Sequence, residues 1–181
     1  MKFDDIREQH RVLKSSTEIQ ARIADLGREI SADYGNEELI VVGVLKGAFM
    51  FMSDLVRHLN LPVSCDFIRA SSYGDRRATS GVVKLELDVS QPVTGKHVLL
   101  VEDIVDTGLT LTYLRENFST RHPKSLRVCT FLHKPEMSPE THLDYVGFKI
   151  PNEFVVGYGL DLAGRYRNLP FLAALHPEGP R

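Results

Sequence analysis

Two short runs in this sequence have apolar interiors, and they leave few folds open. Leu39–Leu45 reads LIVVGVL and His97–Val101 reads HVLLV. Each has the length of a strand, and continuous apolarity marks a strand buried on both faces. Such strands belong to sheets with helices packed on either side. Helix signals stand where that arrangement needs them. Ser15 and Glu18 are spaced as a capping box. Ile19, Ile23, Leu26 and Ile30 then mark one face of a helix ending near Tyr34–Gly35–Asn36. Lys46–Gly47 breaks the first apolar run, and Ala48 to Leu59 reads as a helix. Leu111, Leu114 and Phe118 share a helix face after the second run. Further strands are expected at Pro62–Ala70, Leu126–Leu132 and Phe154–Tyr158. Val83, Leu85, Leu87 and Val89 alternate with charged residues, as in a half-exposed strand. Ser71 to Gly81 is small, polar and charged, and reads as a mobile loop. Strands alternating with helices predict an α/β fold, with a mostly parallel central sheet flanked by helices.

Composition narrows the class. A chain of 181 residues is expected to form one domain, spanning 1–181. Hydrophobic residues at 43% and charged residues at 25% exclude a disordered chain. Lys+Arg is 22 against Asp+Glu 24, a net charge of −2, which disfavours a general nucleic-acid binder. No apolar run approaches the ~18 residues of a membrane span. The polar, charged segment Met1–His10 resembles neither a signal nor a transit peptide, so the cytoplasm is expected. Cys65 and Cys129 form no zinc motif and no disulfide framework, and both are expected as small core residues.

In sheets of this kind ligands sit beyond the carboxyl ends of the strands. Lys46–Gly47, Glu102–Thr110, His133–Lys134–Pro135 and Gly159–Leu160–Asp161 follow the four predicted core strands. Each segment brings a charged or conformationally permissive residue, which predicts a polar site. Glu102 and Asp103 follow an apolar strand directly. Adjacent carboxylates suit the vicinal hydroxyls of a ribose or a hydrated Mg²⁺. Asp106-Thr107-Gly108-Leu109-Thr110 then leads into a helix. Gly108 allows a tight turn, and successive N–H groups at a helix N-terminus cradle an anion. Thr107 and Thr110 add hydroxyl donors. Diol-binding carboxylates beside a phosphate cradle describe a 5-phosphoribosyl group. A capped helix, with Asp106 or Thr107 as N-cap beside two surface acids, is the alternative.

The run VLLVEDIVDTGLTL resembles the phosphoribosyl-diphosphate motif of the phosphoribosyltransferases. VVGVLKGAFMFMSDL, SSYGD, FLHKPE and DYVGFKIPNEFVVGYGLDLAGRYRNLP resemble successive blocks of the hypoxanthine-guanine branch of that family. The resemblance runs from about Val41 to Pro170, in order and in spacing. It implies a type I phosphoribosyltransferase fold, with a hood formed by the N-terminal segment and part of the region after Lys134. The implied reaction joins a 6-oxopurine to 5-phospho-α-D-ribosyl 1-diphosphate.

The resemblance also implies roles for particular residues. Glu102 and Asp103 hold the ribose hydroxyls, and the loop Asp106 to Thr110 grips the 5′-phosphate through backbone amides. Leu109 departs from the polar residue of some relatives, with little loss expected because amides carry that contact. Asp106 faces N7 of the base and accepts its proton, which is general base work. Lys46–Gly47 and Arg167 take the diphosphate, and the Leu45–Lys46 peptide is often cis in the family. Two Mg²⁺ ions are implied, one held partly by Asp161 through water, with Glu102 and Asp103 as indirect ligands. Lys134 donates to a 6-oxo group, Phe154 stacks on the purine, and the carbonyls of Val155 and Asp161 meet the 2-position. Ser72–Tyr73 forms a flap over the reacting centre. Relatives suggest a homodimer or homotetramer, with no nucleic-acid or membrane partner. Taken one at a time, these residues have plainer readings: Lys46–Gly47 an ordinary turn, Phe154 a core side chain, Arg167 a surface cation, Ser72–Tyr73 a solvated loop.

Two other classes compete with an enzyme of this kind. A regulator that kept the pocket but bound RNA or DNA would need a basic face, which the net charge opposes. A P-loop kinase or nucleotidase needs G-x-x-x-x-G-K-[ST], which the sequence lacks.

Overall fold

The computed structural model describes residues 11–72 and 83–175. Its main sheet is built from β2 (Leu39–Val44), β3 (Val63–Ser72), β4 (Val83–Leu87), β5 (His97–Val105), β6 (Ser125–His133) and β7 (Tyr145–Lys149), in the order β4-β3-β2-β5-β6-β7. Every neighbouring pair is parallel except β3 and β4, so the sheet is parallel with one antiparallel edge strand. A second sheet, in the order β1-β9-β8, joins β1 (Arg11–Lys14), β8 (Val155–Val156) and β9 (Leu172–Ala174).

Helices cover both faces, as strands buried on two sides require. α1 (Ser16–Tyr34) begins at the expected capping box: Glu18 N–H donates to Ser15 Oγ at 3.3 Å, and Ser15 N–H donates to Glu18 Oε2 at 2.9 Å. Ile19, Ile23, Leu26 and Ile30 of α1 pack with Phe51, Met52 and Leu55 of α2 (Phe49–Arg57). They cover Leu39 and Val41 of β2, Leu99 and Val101 of β5, and Cys129 and Phe131 of β6. The alternate residues Ile40, Val42, Val98, Leu100 and Val128 meet Leu111, Leu114 and Phe118 of α3 (Leu109–Ser119). Successive side chains of a strand point to opposite faces, so each apolar run feeds two cores.

Several expectations change in detail. The second apolar run does not stop at Val101: β5 continues to Val105, because its ladder with β6 pairs Glu102 with Thr130 and Ile104 with Leu132. Glu102 and Asp103 are therefore held inside a strand, not in a loop after it. β3 reaches Ser72, two residues into the stretch expected to be a loop, and Tyr73 lies outside the described residues. The strand expected over Phe154–Tyr158 shrinks to Val155–Val156, paired with β9. Cys129 is buried as expected, but Cys65 is exposed. It sits on β3 beside the edge strand, where neither helical layer covers it. β1, β7 and β9 were not anticipated. β7 packs tightly on β6 at Gly147, where a Cβ would stand 2.4 Å from the Phe131 carbonyl oxygen. Among the described residues no helix is long and apolar enough to cross a membrane.

Candidate active site

The carboxyl ends of β2, β5 and β6 open on one side, and the turn after β8 closes in on them. The N-terminus of α3 shows what kind of group it can receive. Gly108 occupies the N-cap position in the left-handed conformation, with φ 78°, and no side chain caps this helix end. Neither Asp106 nor Thr107 serves as the cap, so the first-turn amides stay available to an anion, where the helix dipole favours negative charge. Glu102 and the residues from Ile104 to Leu111 line a hollow of about 90 Å³ at this end. A side chain at position 108 would collide with its surroundings, since a Cβ would lie 2.6 Å from Thr141 Oγ1.

The turn after β2 meets β5 at close range. The Leu45–Lys46 peptide is cis. The next residue, Gly47, has no room for a side chain, because a Cβ would stand 1.4 Å from Asp103 Oδ2. Gly159, at φ 103°, presses on Gly47 from the other side, with its own Cβ position 2.1 Å from the Gly47 carbonyl oxygen. Arg167 Nη1 donates to the Gly159 carbonyl at 2.6 Å, and Arg167 Nη2 pairs with Asp161 Oδ1 at 2.5 Å. Asp161 Oδ2 also accepts from the Gly164 N–H at 2.7 Å. The cation expected for a diphosphate and the carboxylate expected for a metal are thus paired with each other.

A neighbouring cavity of about 230 Å³ is lined by Asp103, Ile104, Asp106, Lys134, Phe154, Val155, Leu160 and Asp161. Lys134 follows β6 and is buried, at 7% exposure. Its ammonium donates to Asp106 Oδ2 and to Asn152 Oδ1, each at 3.4 Å. An ammonium has three N–H donors, so one is left for a further acceptor. Phe154 is 54% exposed and lies on the cavity wall, which excludes the core reading of that side chain. An aromatic face opposite a donor-only cation suits a flat ring carrying an exocyclic oxygen.

The electrostatics of β5 point to a polar occupant. Burial raises the pKa of Glu102 well above its ordinary value, and the charge of Asp103 raises it further. Burial also raises Asp103, against the opposing pull of its contact with Glu102, the Ile104 N–H and the Arg167 charge. Two buried carboxyls side by side do not both ionise readily. Glu102 Oε2 and Asp106 Oδ1 are buried without a hydrogen-bond partner. Unsatisfied buried acceptors call for hydroxyls, protons or a cation to satisfy them. Among the described residues no three His, Cys, Asp or Glu side chains converge on one point, so none form a closed metal cage. These hard oxygens fit Mg²⁺ of the kind that keeps most of its water and binds mainly through substrate phosphates.

The structure brings together residues the sequence places far apart. Asp103, Asp106, Lys134, Phe154, Val155 and Asp161 share one cavity; Glu102, Thr107, Gly108, Leu109 and Thr110 share the adjoining hollow. Gly47 touches Asp103, whereas the Lys46 side chain is exposed. Ser72 ends β3. Sequence reasoning missed Asn152 as a partner of Lys134, Leu160 as cavity wall, and the contact of Gly159 with Gly47. Asn152 stands two residues before Phe154, but nothing in its local pattern distinguishes it from an ordinary loop residue.

A family model described as phosphoribosyl transferase domain matches residues 13–162. Over 175 residues the chain is 50% identical to a hypoxanthine-guanine phosphoribosyltransferase of Mycobacterium avium, covering 92% of this chain and 86% of that one. Its structure resembles that of a Bacillus anthracis hypoxanthine-guanine phosphoribosyltransferase, with TM-score 0.87, 48% identity, and coverage of 91% and 98% of the two chains. It also resembles the Trypanosoma cruzi hypoxanthine phosphoribosyltransferase in complex with its product IMP, with TM-score 0.88, 43% identity and coverage of 94% and 97%.

Proposed function

The chain belongs to the phosphoribosyl transferase family, and from that premise we propose how its residues carry out purine salvage. The 5-phosphoribosyl group passes from 5-phospho-α-D-ribosyl 1-diphosphate to hypoxanthine or guanine, giving IMP or GMP and diphosphate. The observation that carries the base assignment is the Lys134 ammonium, held 3.4 Å from Asp106 in a cavity walled by Phe154. Lys134 gives its remaining donor to the 6-oxo oxygen, and Phe154 stacks on the ring. The carbonyls of Val155 and Asp161 accept from the base at its 2-position. Asp106 takes the proton from N7 as N9 bonds to C1′ and the C1′–diphosphate bond breaks. It also favours the positive charge developing on the sugar ring.

Glu102 and Asp103 bind the 2′ and 3′ hydroxyls. Sugar hydroxyls donate to both carboxylates, which relieves the unpartnered Glu102 oxygen. The amides from Asp106 to Thr110, with the Thr107 and Thr110 hydroxyls, hold the 5′-phosphate. The backbone at Lys46–Gly47 and the Arg167 guanidinium receive the diphosphate, for which Arg167 exchanges its Asp161 partner. Ser72–Tyr73 closes over the reacting centre and excludes water, limiting hydrolysis of the activated sugar. Asp161, with Glu102 and Asp103 as indirect partners, would hold Mg²⁺, two ions in the closed complex. Bound there, magnesium supplies charge neutralisation on the diphosphate oxygens. Self-association as a dimer or tetramer belongs to the same reading. The proposed setting is the cytoplasm, where an anionic sugar phosphate that cannot cross a bilayer unaided is retained.

The test is a coupled assay of diphosphate release with phosphoribosyl diphosphate and hypoxanthine. Turnover is expected with Mg²⁺ or Mn²⁺ and none in excess chelator. No release with any 6-oxopurine overturns the reading. Full activity after verified metal removal overturns its magnesium part.

A further inference from the structure

Tyr158 and Asp54 are absent from the cavity walls, yet they tie together the two loops that meet there. Tyr158 is buried, at 6% exposure, and has φ 49°, between Gly157 and Gly159, both at φ 103°. A bulky residue in that region is uncommon and needs its surroundings to hold it. Its ring packs against Phe131 with centroids 5.0 Å apart, and its hydroxyl donates to the Asp54 carboxylate. Asp54 Oδ2 also accepts from Gln20 Nε2 at 2.9 Å, and Asp54 Oδ1 from Arg57 Nη1 at 3.1 Å. Burial raises the phenol's pKa, so it remains a donor.

The residue after Tyr158 is Gly159. Its N–H donates to the Arg167 carbonyl at 2.9 Å, its carbonyl receives the Arg167 guanidinium at 2.6 Å, and its Cα presses on the Gly47 carbonyl. Gly47 leads into α2, the helix that carries Asp54. The contacts therefore close a ring: Gly47, α2, Asp54, Tyr158, Gly159 and back to Gly47.

We propose that the Tyr158–Asp54 hydrogen bond positions the diphosphate subsite, holding Gly159 and Arg167 in register with Gly47. Tyr158 and Asp54 are positioning residues that touch no substrate. The assignment rests on the proposed reading of the Gly47 and Arg167 loops as the diphosphate side. Loosening this tie shifts Arg167 and the Gly47 backbone relative to each other and leaves Lys134 and Phe154 in place. A merely structural role would weaken both substrates together or neither.

The experiment compares Y158F, D54A, D54N and the Y158F/D54A double variant. It reads KM for phosphoribosyl diphosphate, KM for hypoxanthine, thermal stability, and calorimetric binding of diphosphate with Mg²⁺. Y158F and D54A are expected to raise the phosphoribosyl diphosphate KM about tenfold, the scale of one hydrogen bond to a charged group, with hypoxanthine KM within about twofold. D54A also strips Asp54's contacts with Gln20 and Arg57, so the double variant should match D54A, in which the Tyr158–Asp54 bond is already lost. D54N keeps an oxygen to accept the phenol's hydrogen bond and should show a smaller rise than D54A. Equal rises for both substrates, additive singles, or a folded Y158F with parental phosphoribosyl diphosphate KM overturn the proposal. If one variant fails to fold, the others carry the comparison. If the parent turns over no purine, the function reading fails, and diphosphate affinity still decides the positioning role.

Discussion

Gly47 and Asp103 meet at the ends of two neighbouring central strands with no room for a side chain between them: a Cβ on Gly47 would stand 1.4 Å from Asp103 Oδ2 and 2.3 Å from its Cγ. The turn proposed to receive the diphosphate thus leans directly on an acid proposed to bind the ribose. Gly47→Ala should push the Asp103 carboxylate aside. Displacing a positioning group by about 1 Å can lower activity ~10²-fold, and overpacking costs about 1–3 kcal/mol. The expected outcome is a folded protein whose kcat/KM for phosphoribosyl diphosphate falls on that scale. A variant with parental kcat/KM would show that the contact has no part in turnover.

Asp106→Asn keeps the size of the side chain and removes the proton acceptor. Asn can still accept from Lys134, so the cavity should keep its shape. A fall in kcat of ~10²–10⁴-fold is expected, the usual range for general acid–base catalysis. Binding of phosphoribosyl diphosphate should survive. Single-turnover measurements check that chemistry limits the rate, and a chemical step within about threefold of the parent removes Asp106 from the role of base.

Lys134 donates and cannot accept, so it should reject adenine, whose 6-amino group is also a donor. Hypoxanthine and guanine should both be used, with a modest lean to hypoxanthine. Xanthine should be weaker, since its 2-oxo group faces carbonyl acceptors. An unmatched buried donor pair costs about 1–3 kcal/mol, at least ~10-fold in discrimination. Lys134→Gln offers an acceptor as well as a donor, so 6-oxopurine efficiency should drop and the gap to adenine should narrow. The measurement is kcat/KM for four bases with parent and variant. Adenine used as well as hypoxanthine by the parent would sink the base assignment.

The Glu102–Asp103 pair gives the protein alone a pH dependence of definite sign. Burial raises both carboxyls above their ordinary values of 4.5 and 3.8. Between those values and the raised ones the folded state binds more protons than the unfolded chain, so stability contributed by the pair falls as pH rises. Glu102→Gln removes the buried charge. Without substrate it should melt above the parent near ~pH 8, with the advantage shrinking toward ~pH 4. It should also bind phosphoribosyl diphosphate less tightly. Melting curves across pH check this, and a variant no more stable than the parent at high pH contradicts it.

The layers of the fold and the helix start after Gly108 could be read from local pattern. Hydrophobic periodicity reports local burial, so Leu39–Val44 and the start of β5 could be recognised as strands covered on both faces, and α1 could be read from its cap to its C-terminal glycine. Glu102 to Thr110 was legible because the acids, the turn glycine and the helix start are contiguous. Which distant residues meet depends instead on strand order and on the path of the turns. β2 lies between β3 and β5, an order that skips along the chain, and it sets Gly47 against Asp103. The β1-β9-β8 sheet was not anticipated because β8 and β9 are too short to show a period, and their pairing joins distant segments. Cys65 has apolar neighbours in sequence and is nevertheless exposed, because its strand lies beside the sheet edge. Asn152 beside Lys134 and Tyr158 beside Asp54 left no trace in sequence spacing. A contact between chain-distant side chains depends on strand order and on the path of turns such as Gly157–Gly159, and neither is encoded in the local alternation of polar and apolar residues.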